Sequence, residues 1–356
     1  MARALRLASN GKYSARPNPM VGCVLVRGGE VIGEGWHAKA GEPHAEINAL
    51  AAAGDARGAT AYITLEPCVH QGRTPPCTDA LLAAGVAELV VAAEDPYSSV
   101  NGKGIARLRA AGMPVRVGLM DKAAKELNRG FFRRVQTSKP FVRTKVATSI
   151  DGAVAMRSGE SQWITGVPAR VDVQRLRAAS GAILTGIGTV LADDPSLTVR
   201  DKSIRAHSEQ PLRAIVDSKL RMPHAANMLC LPGQTVIYCV DDTHREALQM
   251  KGAEIVRTAA EDELVSLAEV LTDLARRGIN DLLVEAGPAL LGSFVAADLV
   301  DELVIYQAPH IMGSETVAML QTPAWTRLSD RRQLEISDVR RLGADTRITA
   351  RFVRAC

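Results

Sequence analysis

The stretch PHAEINALAAAG, Pro43 to Gly54, puts an imidazole and a carboxylate two residues apart. Further on the chain reads LEPCVHQGRTPPCTDALLAAG, in which Cys68 and Cys77 each follow a proline. His44, Cys68 and Cys77 together offer one nitrogen and two sulfurs. Zinc accepts that donor set, and three protein ligands leave a fourth position for water. Each ligand lies near an expected helix start, where the positive end of the dipole favours thiolate. Glu46 adds a carboxylate that can carry protons beside such a metal. A purely structural zinc site is the rival reading, but it has no use for an uncoordinated acid at Glu46.

A second candidate lies far downstream, in VEAGPALLGS at 284–293. An expected strand ends at Glu285, Gly287-Pro288 turns, and a helix begins with unpaired N–H groups. Proline suits a first helical turn, and such helix starts bind phosphate. An ordinary strand–turn–helix would look the same. Gly186-x-Gly188 is not a dinucleotide loop, because position 191, where a third glycine belongs, is leucine.

The elements that must hold these residues read as alternating strands and helices. Strands are expected at Val21–Arg27 and Glu30–Trp36, joined at Gly28-Gly29 as a hairpin. Helices at Ala45–Ala53, Thr78–Ala84 and Ile105–Ala111 each stop at a glycine, with strands Thr60–Thr64, Glu88–Ala92 and Val115–Val117 following. That rhythm is α/β. At 356 residues two domains are expected. The polar, proline-ended segment VQTSKP, Val135 to Pro140, is the boundary candidate, giving units 1–138 and 139–356. Beyond it come strands Phe141–Ala147, Ala182–Gly186, Leu212–Asp217, Thr235–Val240 and Asp281–Glu285. A helix is expected at Glu263–Arg277, and two terminal strands at Leu334–Arg341 and Arg347–Val353.

Composition narrows the class. Hydrophobic residues are 47% and charged residues 23%, as in ordinary globular proteins. Apolar runs are too short for a membrane helix, and the N-terminus lacks the apolar core of a signal peptide, so a cytoplasmic location is expected. Six cysteines are too few for a disulfide scaffold. Residues 1–138 carry 17 Lys+Arg against 12 Asp+Glu, and residues 139–356 carry 26 against 27. With aromatics at 4% and no basic run, this is not the profile of a nucleic-acid binder. A modest positive excess suits a small phosphorylated substrate. A nucleic-acid-editing enzyme whose second half binds RNA and a non-catalytic zinc module are the rival functions. The balanced charge of the second half speaks against the first, and Glu46 against the second.

The pattern HAE at 44–46 followed by PC at 67–68 resembles the zinc nucleobase deaminases, in which the Glu is not a ligand. The second cysteine comes nine positions after the first, where the commoner signature has three. That loop, CVHQGRTPPC, is similar to the deaminase domain of the bifunctional riboflavin-biosynthesis family, as are RPNPMVGCVLV at 16–26, GEGWHAKAGEPHAE at 33–46 and EDP at 94–96. VATSIDGAVAMRSGESQWIT at 146–165, RLRAASGAILTGIGTVLADDPSLTVR at 175–200 and LLVEAGPALLGSFVAADLVDEL at 282–303 resemble the reductase domain of that family.

The resemblance implies a cytidine-deaminase-like domain followed by a dihydrofolate-reductase-like one. It implies one zinc per chain and NADPH as the hydride source. The first domain would deaminate 2,5-diamino-6-(5-phosphoribosylamino)pyrimidin-4-one; the second would reduce the product's ribosyl group to ribityl. Around the first substrate the resemblance puts Asn18, His37, His70, Arg73, Thr74 and Asp95. On cofactor positions it puts Ala147, Trp163, Thr189, Asp193, Ser218, Gly287, Pro288, Ala289, Leu290, Leu291, Gly292 and Ser293. On the second substrate it puts Ser161, Arg177, Leu197, Arg200 and Glu285, the two arginines being suited to forked bonds with phosphate. Lys145 and Asp151 are polar enough to assist proton transfer, though a salt-bridged lysine and a turn aspartate fit them equally. A homo-oligomer is expected.

Overall fold

The structure, a computed structural model, describes residues 1–69, 76–205, 209–243 and 245–353. The chain forms two compact units, Met1–Lys139 and Pro140–Cys356. Among the described residues no helix is long and apolar enough to cross a membrane.

In the first unit, strands β1 (Gly22–Arg27), β2 (Glu30–Trp36), β3 (Thr60–Leu65), β4 (Glu88–Ala93) and β5 (Val115–Val117) form one sheet in the order β2-β1-β3-β4-β5. β1 is antiparallel to both β2 and β3, whereas β3, β4 and β5 run parallel. β1 and β2 turn at Gly28 and Gly29, both with positive φ, as the hairpin reading requires. Inward residues Cys23, Leu25, Ile63, Leu89 and Val91 meet Ala49, Leu81 and Leu108 of the helices in one buried cluster. The helix Ala45–Ala53 lies unusually close to β2. A Cβ added at Gly35 would sit 2.4 Å from the Ala45 carbonyl oxygen, so only glycine permits this approach.

In the second unit the strands are β6 (Phe141–Thr148), β7 (Ala153–Met156), β8 (Ala182–Gly186), β9 (Leu212–Val216), β10 (Thr235–Cys239), β11 (Ala253–Arg257), β12 (Ala260–Glu261), β13 (Leu264–Val265), β14 (Asp281–Val284), β15 (Glu302–Gln307), β16 (Thr316–Ala318), β17 (Leu334–Leu342) and β18 (Asp345–Phe352). Nine of them make one sheet, in the order β11-β10-β9-β8-β14-β6-β15-β18-β17. The seven from β11 to β15 are parallel, and β18 and β17 close the edge antiparallel. Parallel strands must be covered on both faces. One face packs Leu184, Val236, Leu282 and Val284 against Leu271, Leu274 and Phe294. The other packs Ile183, Ile215, Ile237 and Leu283 against Val190, Met228 and Leu248.

Two expected elements differ. The helix expected from Glu263 runs only over Leu267–Arg276, because Asp262 and Glu263 have positive φ and turn the β12–β13 hairpin instead. Ser266 then caps the helix, its Oγ accepting from the Glu269 N–H at 3.4 Å. The segment expected to link the units begins as helix: Arg129–Thr137 continues past Arg134 and stops at Ser138 with φ 56°.

Candidate active sites

In the first unit, His44 stands one residue ahead of helix Ala45–Ala53 and Glu46 in its first turn. Cys77 opens helix Cys77–Ala83. Cys68 departs from the expectation of a helix start; it lies in the loop that leaves β3. That loop is tied to the other cysteine, with the Thr78 N–H and Oγ both donating to the Cys68 carbonyl at 3.3 Å.

His44 Nδ1 lies 3.2 Å from Cys77 Sγ and 3.6 Å from Cys68 Sγ, and the three donor atoms are all within 4.8 Å of one another. A tetrahedral zinc with bonds of about 2.0 Å to nitrogen and 2.3 Å to sulfur holds such atoms roughly 3.5 to 3.8 Å apart. The donor set and its spacing therefore fit zinc. A hydrogen bond from the Cys77 thiol, reinforced by His44, pulls the Cys68 thiol down to about 4. The same bond, with burial, pushes Cys77 up. Glu46 is 3% exposed, and burial lifts its carboxyl to about 7. A carboxyl near neutrality can both take and give a proton.

His37 is buried, with its ring edge-on to His44 at 5.3 Å between centroids. Its Nδ1 faces the Pro43 carbonyl at 3.2 Å and its Nε2 the Asn18 amide at 3.0 Å. With Nδ1–H donating to Pro43, Nε2 accepts from Asn18, and burial holds the ring's pKa down. Both nitrogens are therefore engaged: His37 orients half-buried Asn18 rather than offering a free nitrogen to a ligand. Asp95 is buried where the chain leaves β4, and its Oδ1 accepts from the Tyr97 N–H at 2.8 Å. His70, Arg73 and Thr74 lie outside the described residues.

In the second unit, most of the expected residues gather at the carboxyl ends of four adjacent parallel strands, β9, β8, β14 and β6. Ala147 is near the end of β6, Ser218 follows β9, Thr189 follows β8, and Glu285 to Pro288 follow β14. Ligands of open α/β sheets bind along such an edge. The Gly287 N–H donates to Thr189 Oγ1 at 3.1 Å, joining the segments that follow β14 and β8. Helix Pro288–Ala296 starts there, with proline in its first turn. Within it, Ala289 and Ser293 are exposed and Leu290 is half-buried, but Leu291 and Gly292 are buried; the Leu291 side chain packs the core and cannot line a ligand site. Ser218 Oγ accepts from the Val265 N–H at 3.2 Å, and the neighbouring Lys219 and Arg221 are exposed.

The substrate positions divide. Arg177 Nε and Nη2 donate to the two carboxylate oxygens of Glu285 at 2.6 and 2.9 Å, and Nη1 donates to the Thr198 carbonyl at 3.1 Å. All three guanidinium nitrogens have a partner within the protein, and three of the five N–H donors are used there. Burial would raise Glu285, but Arg177 outweighs it and holds the carboxyl below its ordinary value. Arg200 is exposed and contributes to the field at Glu285. Leu197 is 2% exposed in the core with φ 46°, so only its backbone can meet a ligand. Ser161 and Trp163 precede helix Val167–Ala179, and Trp163 is 68% exposed with the Arg170 guanidinium 4.6 Å from its ring centroid. Asp193 ends helix Ile187–Asp193, exposed.

Lys145 lies on β6 beside this pair, and burial lowers its pKa. Asp151 accepts from the Met312 and Gly313 N–H groups, a loop anchor rather than a proton carrier. Glu66 gave no signal in the sequence; its contacts appear only with the fold.

A zinc-type donor set in one unit and a parallel-sheet edge in the other define a deaminase-like unit joined to a reductase-like one. Residues 1–93 match the cytidine and deoxycytidylate deaminase zinc-binding region, and residues 140–348 match the RibD C-terminal domain. Riboflavin biosynthesis protein RibD of Escherichia coli (strain K12) is 46% identical over 97% of this chain and 96% of its own. The structure of Acinetobacter baumannii RibD, form 1, superposes with a TM-score of 0.93 at 42% identity, covering 99% of this chain and 98% of that one. A Thermotoga maritima diaminohydroxyphosphoribosylaminopyrimidine deaminase/5-amino-6-(5-phosphoribosylamino)uracil reductase gives 0.89 at 32% identity, covering 99% and 97%. The chain belongs to the RibD family. It is a bifunctional deaminase and reductase of riboflavin biosynthesis, with a cytidine-deaminase-like fold followed by a dihydrofolate-reductase-like one.

Proposed function

We propose that residues 1–138 deaminate 2,5-diamino-6-(5-phosphoribosylamino)pyrimidin-4-one at C2, with one zinc held by His44, Cys68 and Cys77. The spacing of those three donor atoms beside buried Glu46 carries this reading. When bound, zinc supplies Lewis-acid activation of water near neutral pH. Glu46, raised to about 7, takes a proton and returns it to the departing amino group as ammonia forms. Asn18, held by His37, and Asp95 suit recognition of the ring's polar edge.

We propose further that residues 139–356 reduce the ribosyl group of the product, with NADPH laid across the carboxyl ends of β9, β8, β14 and β6. When bound, the cofactor supplies the hydride, and the chain's part is to orient two ligands. The Gly287–Pro288 helix start suits the pyrophosphate, and exposed Lys219 and Arg221 suit a 2′-phosphate. Arg200 suits the substrate phosphate.

The test offers purified protein the diaminopyrimidine phosphate with and without NADPH and identifies products by mass. Deaminated ribosyl product is expected without the cofactor and ribityl product with it. Glu46→Gln should keep its zinc and lose deamination about 10²- to 10⁴-fold, because a proton carrier is removed and no ligand is. A Glu46→Gln protein free of zinc would make Glu46 a ligand and defeat this assignment.

A further inference from the structure

Glu66 stands between β3 and the cysteine loop, two residues before Cys68, and is 4% exposed. Its carboxylate accepts four backbone N–H groups. Oε1 receives Gly104 at 2.8 Å and Ile105 at 3.1 Å; Oε2 receives Gly102 at 2.9 Å and Asp95 at 3.2 Å. Three of these donors open helix Lys103–Ala110, whose own preceding residue, Gly102, has no side chain to cap it. The fourth is Asp95, where the chain leaves β4. The contact extends to the backbone: a Cβ on Gly104 would sit 2.2 Å from the Pro67 carbonyl oxygen. Glu66 itself continues the β3–β4 pairing, its N–H donating to the Ala93 carbonyl at 3.0 Å.

We propose that Glu66 is a positioning residue of the deamination reaction, clamping the Cys68 loop and the Asp95 segment in one register. The inference rests on the reading of His44, Cys68 and Cys77 as the zinc ligands and Asp95 as a substrate contact. The carboxylate matches its surroundings because each oxygen accepts two donors. Glutamine is nearly isosteric but keeps one acceptor oxygen and turns an amide donor toward two N–H donors. Aspartate is shorter by one methylene and cannot reach the helix start. A clamp of this kind couples the metal loop to the substrate segment, and coupling between two bound groups is reciprocal.

Metal analysis of the unaltered chain comes first, since a zinc-free protein defeats the site reading itself. On a zinc-loaded chain, Glu66→Gln should release zinc to a competing chelator roughly 10- to 100-fold more readily. Substituted cobalt should show a changed visible absorption band, and KM for deamination should rise while kcat falls. Reduction by the second unit should be unchanged. A Glu66→Gln protein that is less heat-stable but keeps wild-type chelator competition, cobalt spectrum and KM would reduce Glu66 to a helix cap. If Glu66→Gln does not fold, the unaltered chain carries the test by hydrogen exchange. Stripping zinc should then speed amide exchange at Asp95, Gly102, Gly104 and Ile105, and exchange there that ignores zinc would overturn the proposal.

Discussion

The forked bonds between Arg177 and Glu285, 2.6 and 2.9 Å long, take two charges out of water together; each side chain is about a tenth exposed. Such a pair is costly to break from one side, because the remaining charge is left buried and unpaired. Arg177→Met should therefore cost about 3–5 kcal/mol in urea unfolding at pH 7. The pH dependence follows from the sign of the shift. Glu285 is depressed in the fold, so its contribution is present above the ordinary carboxylate value and is lost as pH falls through the lower folded one. In the Arg177→Met protein the carboxyl keeps only the weaker influence of Lys145 and Arg200, so burial favours its protonated form, and the penalty for this shrinks as the solution becomes more acid. The gap between the two proteins should thus narrow from pH 7 to pH 4, and a gap independent of pH would show that packing, not charge, is lost. Arg200→Ala should behave differently. Stability should hardly change, while affinity for the phosphorylated substrate falls roughly 10- to 150-fold, the worth of one charge-assisted bond of about 1.5–3 kcal/mol. Equal handling of phosphorylated and dephosphorylated substrate by wild type would sink that role for Arg200.

At the scale of elements, the approach of helix Ala45–Ala53 to β2 decides where His44 and Glu46 stand. Gly35→Ala adds one carbon 2.4 Å from the Ala45 carbonyl oxygen, where backbone rather than a movable side chain must give. The expected cost is about 1–3 kcal/mol in stability, as for overpacking, together with weaker zinc retention. Gly28→Ala, with nothing within 4 Å of the added carbon, controls for a general effect of the substitution, apart from the strain of its positive φ. Zinc retention equal to wild type in Gly35→Ala would mean that the helix start does not depend on this contact. These elements were readable because their signals are local. Helices stop at Gly54 and Gly85, and the hairpin turns at Gly28-Gly29, all in φ > 0 geometry. His44, Glu46 and Cys77 were legible through spacing along short segments. Glu66 was not, since its donors lie 29 to 39 residues away and are backbone groups that any sequence carries. The commitment of Arg177 to Glu285, 108 residues distant, was equally invisible: a forked cation reads the same whether its partner is a phosphate or a buried carboxylate. Leu197 and Leu291 came from family resemblance, which marks a position near a ligand without saying whether side chain or backbone faces it.

Across the whole molecule, each unit buries its own apolar clusters, among them one around Leu25, Ile63 and Leu89 in the first and those on the two faces of the nine-stranded sheet in the second. The positive excess also falls on one side. Residues 1–138 hold 17 Lys+Arg against 12 Asp+Glu, while the remainder is nearly balanced at 26 against 27. The residues proposed to meet the nicotinamide cofactor, from Ala147 to Ser293, all belong to the second unit, and none of the zinc-type ligands does. A fragment beginning at Pro140 should consequently fold, contain no zinc and bind NADPH within roughly threefold of the full chain, a difference under 1 kcal/mol. It should prefer NADPH to NADH, because Lys219 and Arg221 travel with it, and Lys219→Ala with Arg221→Ala should erode that preference without abolishing binding. Titration calorimetry with both cofactors reads these outcomes directly. A folded fragment that fails to bind NADPH, beside a full chain that binds it, would show that the cofactor site draws on residues before Pro140.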